Sequence, residues 1–272
     1  MMILETKGCT KYFGGLKALD HFDFHVQKGE IVGLIGPNGA GKTTYFNCVT
    51  GLFRPTSGNI LLNLHSQSPL EIVGLRPDEI ARLGVARTFQ GIKLFSSMTS
   101  LENVMVAQFS RTRSGVWSAL FGSIRMKREE EDSLFKAQNL LRFVGLEGYQ
   151  NELAQSLPYG LQRRLEIARA LATYPFFLLL DEPAAGMNPV ELSDLMNLLR
   201  KIRDMGITIL LIEHHMGLVM DLCERVAVLD YGVKIAEGTP KEIQNNEKVI
   251  EAYLGKENST PARRVPEISR SK

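Results

Sequence analysis

The sequence predicts an α/β fold with a mostly parallel sheet and a helical insertion. Three observations carry this. Short, wholly apolar runs at Ile31 to Ile35, Phe176 to Leu180, Ile207 to Ile212 and Val226 to Leu229 have the length and texture of strands buried on both faces. Segments with helical spacing separate them, and strands that alternate with helices pair in parallel. From about Leu94 to Leu157 this alternation stops and helical spacing takes over.

In chain order, Phe22, Phe24 and Val26 alternate with His21, Asp23 and His25. Period two marks a half-buried strand, with both histidines toward solvent rather than on a metal. A glycine-rich loop follows Ile31 to Ile35, and Lys42 to Thr50 reads as a helix. Pro55, Ser57, Gly58 and Asn59 read as a turn before a strand that starts at Ile60. Within the insertion, Leu134, Ala137, Leu140, Leu141 and Val144 fit one helix face, and the charged run Arg125 to Asp132 fits a solvated one.

Leu161 to Thr173 is helical, with Leu165, Ala168 and Ala172 on one side. Asn188 is placed to cap another helix, with Pro189 at its first position and Leu192, Leu195, Met196, Leu199 and Ile202 inward. Thr239-Pro240-Lys241-Glu242 has the form of a capping box and opens a final helix running to about Gly255. Lys256 to Lys272 has few large apolar residues and reads as a disordered tail.

A chain of 272 residues can bury a full core without staples. Its net charge of +2 gives no case for a nucleic-acid partner, which needs a strongly basic domain or stripe. Cys9, Cys48 and Cys223 have no metal-ligand spacing and fit a reducing compartment. Met1 to Thr10 has no signal-peptide core, and the apolar runs fall far short of the ~18 residues that span a bilayer. Membrane association is therefore expected to come through a partner.

Three elements carry chemistry. Gly36-Pro37-Asn38-Gly39-Ala40-Gly41-Lys42-Thr43 follows an apolar strand and opens a helix. Its glycines let backbone N–H groups turn inward around phosphates. Lys42 is placed to reach the β- and γ-phosphates, the Thr43 hydroxyl to reach Mg²⁺, and the helix presents its positive end to the anion. Thr44 completes the set expected at the nucleotide. Second, the strand ending at Leu180 delivers Asp181 and Glu182 to the sheet edge where open α/β sheets bind ligands. Asp181 is expected on Mg²⁺, and Glu182 as the base that orients and deprotonates water. Third, the strand ending at Ile212 runs into Glu213-His214-His215, and His214 is expected to reach the γ-phosphate.

Together these elements resemble the ATP-binding subunits of ABC transporters. The resemblance spans about Leu4 to Gly255 with the family's motifs in order. The signature motif resembles Leu157-Pro158-Tyr159-Gly160-Leu161, the Q-loop Arg87-Thr88-Phe89-Gln90, and the D-loop Ala185-Gly186-Met187-Asn188, while His214 matches the switch histidine. Phe13 matches the aromatic that stacks on adenine, with Tyr12 as the other possibility. What the resemblance implies is a P-loop NTPase (RecA-like) core with an N-terminal antiparallel β sub-domain and an inserted α-helical sub-domain. The expected division is an α/β core at 1–94 and 158–255, helices at 95–157, and the tail at 256–272.

The resemblance also implies ATP and Mg²⁺ as cofactors, with Gln90 both sensing the γ-phosphate and joining Thr43 and Asp181 at the metal. It implies a homologous second ATPase subunit in a head-to-tail dimer, with Gly160 acting in trans, and integral-membrane permease subunits contacted through Phe95, Met98 and Thr99 to Met105. The expected location is peripheral, on the cytoplasmic face of the inner (cell) membrane. Gln162-Arg163-Arg164-Leu165-Glu166-Ile167-Ala168-Arg169-Ala170, Ala184-Ala185-Gly186 and Tyr253-Leu254-Gly255 are similar to the branched-chain amino-acid type, as is the insertion with Trp117 and Phe121. That type imports with an extracytoplasmic substrate-binding protein. Urea, amide or lipopolysaccharide transport remains the alternative, as does a non-hydrolysing regulatory subunit. The signature departs from the family pattern at Pro158 and Leu161, where serine and glutamine are usual.

Overall fold

The computed structural model describes residues 1–64, 68–108 and 124–254, with the side chains of 124–129 and 254 excepted. β1 (Met2–Phe13) and β2 (Leu16–Gln27) form a hairpin, and β3 (Ile31–Ile35) leaves for a second sheet. β4 (Ser57–Leu62) and β5 (Leu70–Glu71) return to the first. β6 (Val85–Arg87), β7 (Phe177–Asp181), β8 (Thr208–Ile212), β9 (Arg225–Asp230) and β10 (Val233–Gly238) join β3. The first sheet is antiparallel, in the order β2-β1-β4-β5. The second runs β10-β9-β3-β8-β7-β6 and is parallel except for β10, as the strand–helix alternation predicts.

The all-apolar strands are buried on both faces because each separates two cores. Phe177 and Leu179 of β7, with Leu210 and Ile212 of β8, point into a core shared with the antiparallel sheet and the Lys42–Val49 helix. Leu178, Leu180, Ile209 and Leu211 point the other way. There they meet the helices Tyr159–Leu171, Pro189–Asp204 and Met216–Leu222. The inserted helices Ser100–Gln108 and Ile124–Phe143 extend this second core through Val104, Ala137 and Leu141. Leu134 and Leu140 are only partly buried, and Glu130 to Asp132 are exposed. Asn188 caps its helix through Val190 and Glu191 N–H, with Glu191 closing a capping box.

Tyr45 pins the helix after the glycine-rich loop to the antiparallel sheet. It is wholly buried, its ring meets Phe22 edge-on with centroids 4.8 Å apart, and its hydroxyl bonds to Thr6 Oγ1 at 2.8 Å. Tyr45→Phe keeps the ring but strands the buried Thr6 hydroxyl. It is expected to lower unfolding free energy by about 1–3 kcal/mol, read as a shifted urea midpoint with unchanged slope.

Three expectations change. Ser57 to Asn59 begin β4 rather than forming a turn. Gly58, at φ +88°, lies where β1 and β4 shift register, and a Cβ on it would sit 2.3 Å from Gly8 O. Its left-handed backbone serves a bulge, which composition cannot tell from a chain reversal. The final helix breaks in two, Pro240–Gln244 and Glu247–Leu254. Asn246 Oδ1 takes the N–H groups of Lys248 and Val249, so a side chain recaps the chain and divides the helical run. His25 is half-buried, whereas His21 is exposed as expected. Trp117, Phe121, the side chains of Arg125 to Glu129, and the tail lie outside the described residues. No helix among the described residues is long and apolar enough to cross a membrane.

Candidate nucleotide site

Parallel pairing sets the ends of β3, β8, β7 and β6 side by side, so four loops emerge at one edge. They carry the glycine-rich loop, Glu213-His214, Asp181-Glu182 and Thr88-Phe89-Gln90 respectively.

The glycine-rich loop is wedged between two strands. A Cβ on Gly36, at φ +147°, would lie 1.9 Å from Leu229 O on β9; one on Gly41, at φ +107°, would lie 2.3 Å from Ala18 O on β2. Only glycine fits either place. Gly41 is also the N-cap of the Lys42–Val49 helix and offers it no side-chain cap. No side chain of Gly41 therefore competes with an anion for the start of that helix. Lys42 is 6% exposed, and its Nζ donates to the carbonyls of Gly36 and Pro37 at 2.7 and 3.0 Å. Thr43, Asn38 and Gly39 are exposed, Thr44 is half-buried and Ala40 is buried.

The Ala18–Gly41 contact sets the β1–β2 hairpin against this loop. Phe13, on that hairpin, is partly exposed and packs edge-on to Phe53 at 5.2 Å, with Lys11 Nζ 5.1 Å from its ring centre. Tyr12 is equally exposed, with Lys17 Nζ 5.6 Å from its ring centre.

Asp181 is 1% exposed. Its Oδ2 accepts from Arg87 Nη2 at 2.8 Å, while its Oδ1 is buried with no partner among the described residues. Burial pushes the Asp181 carboxyl above its ordinary pKa, and Arg87 pulls it back part of the way. Glu182 sits at φ +50°, a left-handed backbone rare for glutamate, and it precedes Pro183, where an extended conformation is usual. Its Oε2 accepts from Gln90 Nε2 at 3.0 Å, and its Oε1 lies 2.9 Å from His214 Nε2. Residues expected from three separate loops therefore meet at one carboxylate.

Gly160 stands apart from this cluster. It lies buried in the first turn of the Tyr159–Leu171 helix, and the atoms a Cβ would meet all belong to Glu191. Pro158, at the N-cap position, gives that helix no side-chain cap.

Several site residues escaped the sequence reading. In the sequence, Arg87 stands out only as part of a motif. It bonds to Asp181, to Asn47 Oδ1 at 2.6 Å and to Thr50 Oγ1 at 3.2 Å, and lies over the rings of Phe46 and Phe89. Arg163 and Glu166, 2% and 6% exposed, grip the backbone around Gln90. Arg163 donates to Phe89 O at 2.8 Å and to Gln90 O, and Glu166 accepts from Phe89 N–H at 3.2 Å. The Tyr159–Leu171 helix, with Gly160 in its first turn, is thereby tied to the Gln90 loop. One signal was available: Arg163 and Glu166 share a helix face with Ile167 and Ala170, so the pair had to be inside and partnered.

Comparison with known proteins places the chain in a family. Residues 19–185 match the family model described as ABC transporter, and residues 233–258 match one described as branched-chain amino acid ATP-binding cassette transporter. The high-affinity branched-chain amino acid transport ATP-binding protein LivG of Salmonella typhimurium is 47% identical over 254 residues, covering 93% of this chain and 98% of its own. The lipopolysaccharide export system ATP-binding protein LptB of Haemophilus influenzae is 34% identical over 257 residues, covering 94% of this chain and 99% of its own. A crystal structure of a nucleotide-free ATP-binding cassette from an ABC transporter superposes with a TM-score of 0.80 at 33% identity, covering 93% of this chain and 99% of that one. The chain belongs to the ABC transporter family, as one of its ATP-binding subunits.

Proposed function

We propose that this chain is the ATP-hydrolysing motor of an importer of branched-chain amino acids. The observation that carries the cargo is the near full-length likeness to LivG, supported by the C-terminal match at residues 233–258. The subunit works as half of a head-to-tail pair, docked on integral-membrane permeases at the cytoplasmic face of the cell membrane. A substrate-binding protein outside the membrane delivers the cargo.

In this reading the backbone of Gly36 to Thr44 cradles the phosphates, and Phe13 or Tyr12 stacks on adenine. Lys42 exchanges its two loop carbonyls for phosphate oxygens. Gly160 completes the site on the partner subunit's nucleotide. The donor set suits Mg²⁺: the Oδ1 of Asp181, buried and without a partner among the described residues, the exposed Thr43 hydroxyl and the Gln90 amide. When bound, Mg²⁺ supplies positive charge to the phosphates. Glu182 accepts a proton from the attacking water, and Gln90 and His214 hold its carboxylate in place. His214 also reaches the γ-phosphate. Because Arg163 and Glu166 tie the Gln90 loop to the Gly160 helix, a change at the nucleotide is carried toward the signature motif.

The test is reconstitution with candidate permease subunits and a candidate substrate-binding protein. Leucine, isoleucine or valine is expected to stimulate ATP hydrolysis and to be taken up. Stimulation only by urea, short amides or lipopolysaccharide would replace the cargo. Absence of hydrolysis under all these conditions would favour a regulatory subunit, which the Pro158 and Leu161 departures motivate.

A further inference from the structure

Glu213 has no role in the reading above, yet it is 3% exposed and adjoins residues that do. It follows β8 directly. Its Oε1 accepts from Ala184 N–H at 2.8 Å, and its Oε2 from the N–H groups of His214 and His215 at 3.1 and 3.3 Å. Ala184 lies two residues beyond Glu182. One carboxylate thus joins the loop after β7 to the loop after β8, and these loops carry the two partners of the 2.9 Å Glu182–His214 contact.

A residue that merely closed its own turn would need only the His214 and His215 bonds. The bond to Ala184 crosses to another strand's loop and serves no local turn. A carboxylate suits this task because both its oxygens accept; an amide of the same shape has one accepting oxygen and would leave one loop unheld. The strained backbone at Glu182 gives the tether something to resist, since a residue at φ +50° persists only when its surroundings hold it there.

We infer that Glu213 is a positioning residue that holds the His214 loop against the Glu182 loop in the register where their side chains meet. The inference rests on the proposed roles of Glu182 and His214 in hydrolysis. Its test is Glu213→Gln in the full-length chain, alone and combined with His214→Ala. The single variant is expected to fold, to bind ATP with unchanged affinity and to lose roughly tenfold in kcat. Combined with His214→Ala, it is expected to add less than about twofold, because the contact it positions is already gone.

An unchanged kcat, or the same tenfold loss in the His214→Ala background, would overturn the inference. So would losses of ATP affinity or folding cooperativity that match the loss of kcat, since these mark a general structural role. A crystal structure of Glu213→Gln reads the tether directly: the Glu182–His214 contact is expected to open, and an intact contact refutes the inference. Should His214→Ala alone leave hydrolysis unchanged, the histidine's proposed role fails, and the crystallographic distance decides the tether by itself.

Discussion

Glu182→Gln is expected to lower ATP turnover by roughly 10²–10⁴-fold while ATP still binds. The substitution keeps the shape of the side chain and removes its capacity to take a proton. Phosphoryl transfer asks little covalent chemistry of the protein, so an aligned and deprotonated water is a large part of what it can contribute. The geometry sharpens the expectation. Gln90 Nε2 and His214 Nε2 each approach one oxygen of Glu182, so the carboxylate is held on two sides. The glycine-rich loop does not depend on Glu182, because its shape is set by the close approaches of Gly36 to Leu229 and Gly41 to Ala18. Binding and turnover should therefore separate. Single-turnover hydrolysis beside equilibrium binding of a fluorescent ATP analogue makes the comparison, and unchanged hydrolysis would remove Glu182 as the base.

The parallel sheet was legible because its strands are short, wholly apolar and bounded by helical segments, a pattern with few alternatives. The shape of the glycine-rich loop was legible because close backbone approach leaves glycine no substitute, and that necessity shows in one-letter code. Asp181, Glu182 and His214 were legible as polar residues at the ends of apolar strands. Arg87 and Glu213 were not, although they lie at the same edge of the sheet. Their roles depend on which strands are neighbours: Arg87 reaches Asp181 only because β6 pairs with β7, and Glu213 reaches Ala184 only because β7 pairs with β8. Strand order is a tertiary fact that local pattern does not encode. The turn residues at Ser57 to Asn59 failed for a related reason. A glycine in left-handed conformation serves a bulge as well as a turn, and the partner strand decides between them.

Arg87→Ala is expected to destabilise the fold by about 3–5 kcal/mol, the usual consequence of removing one partner from a buried ion pair. The side chains of Arg87 and Asp181 are 6% and 2% exposed, so water screens the pair little. Asp181 already has one oxygen without a partner among the described residues, and the substitution removes the partner of the other. Asn47 and Thr50 lose their donor as well, which loosens the helix that follows the phosphate loop. The loss should depend on pH. Burial holds the Asp181 carboxyl above its ordinary pKa, and Arg87 opposes that rise, so the variant's Asp181 must titrate higher still. A carboxyl whose folded pKa exceeds its unfolded one costs stability in its charged form. That cost is complete above the folded pKa and fades as acid protonates the group. The deficit of Arg87→Ala relative to the parent should therefore be largest at neutral and alkaline pH and shrink toward the ordinary carboxylate range. Urea denaturation across that window measures it, and a deficit that is flat or grows with acidity would show that the guanidinium acts through packing on Phe46 and Phe89 rather than through Asp181. Arg87→Lys separates these contributions further: it keeps the charge, but one ammonium cannot fork to Asp181, Asn47 and Thr50 together. It should recover part of the stability and show a smaller pH-dependent deficit than Arg87→Ala.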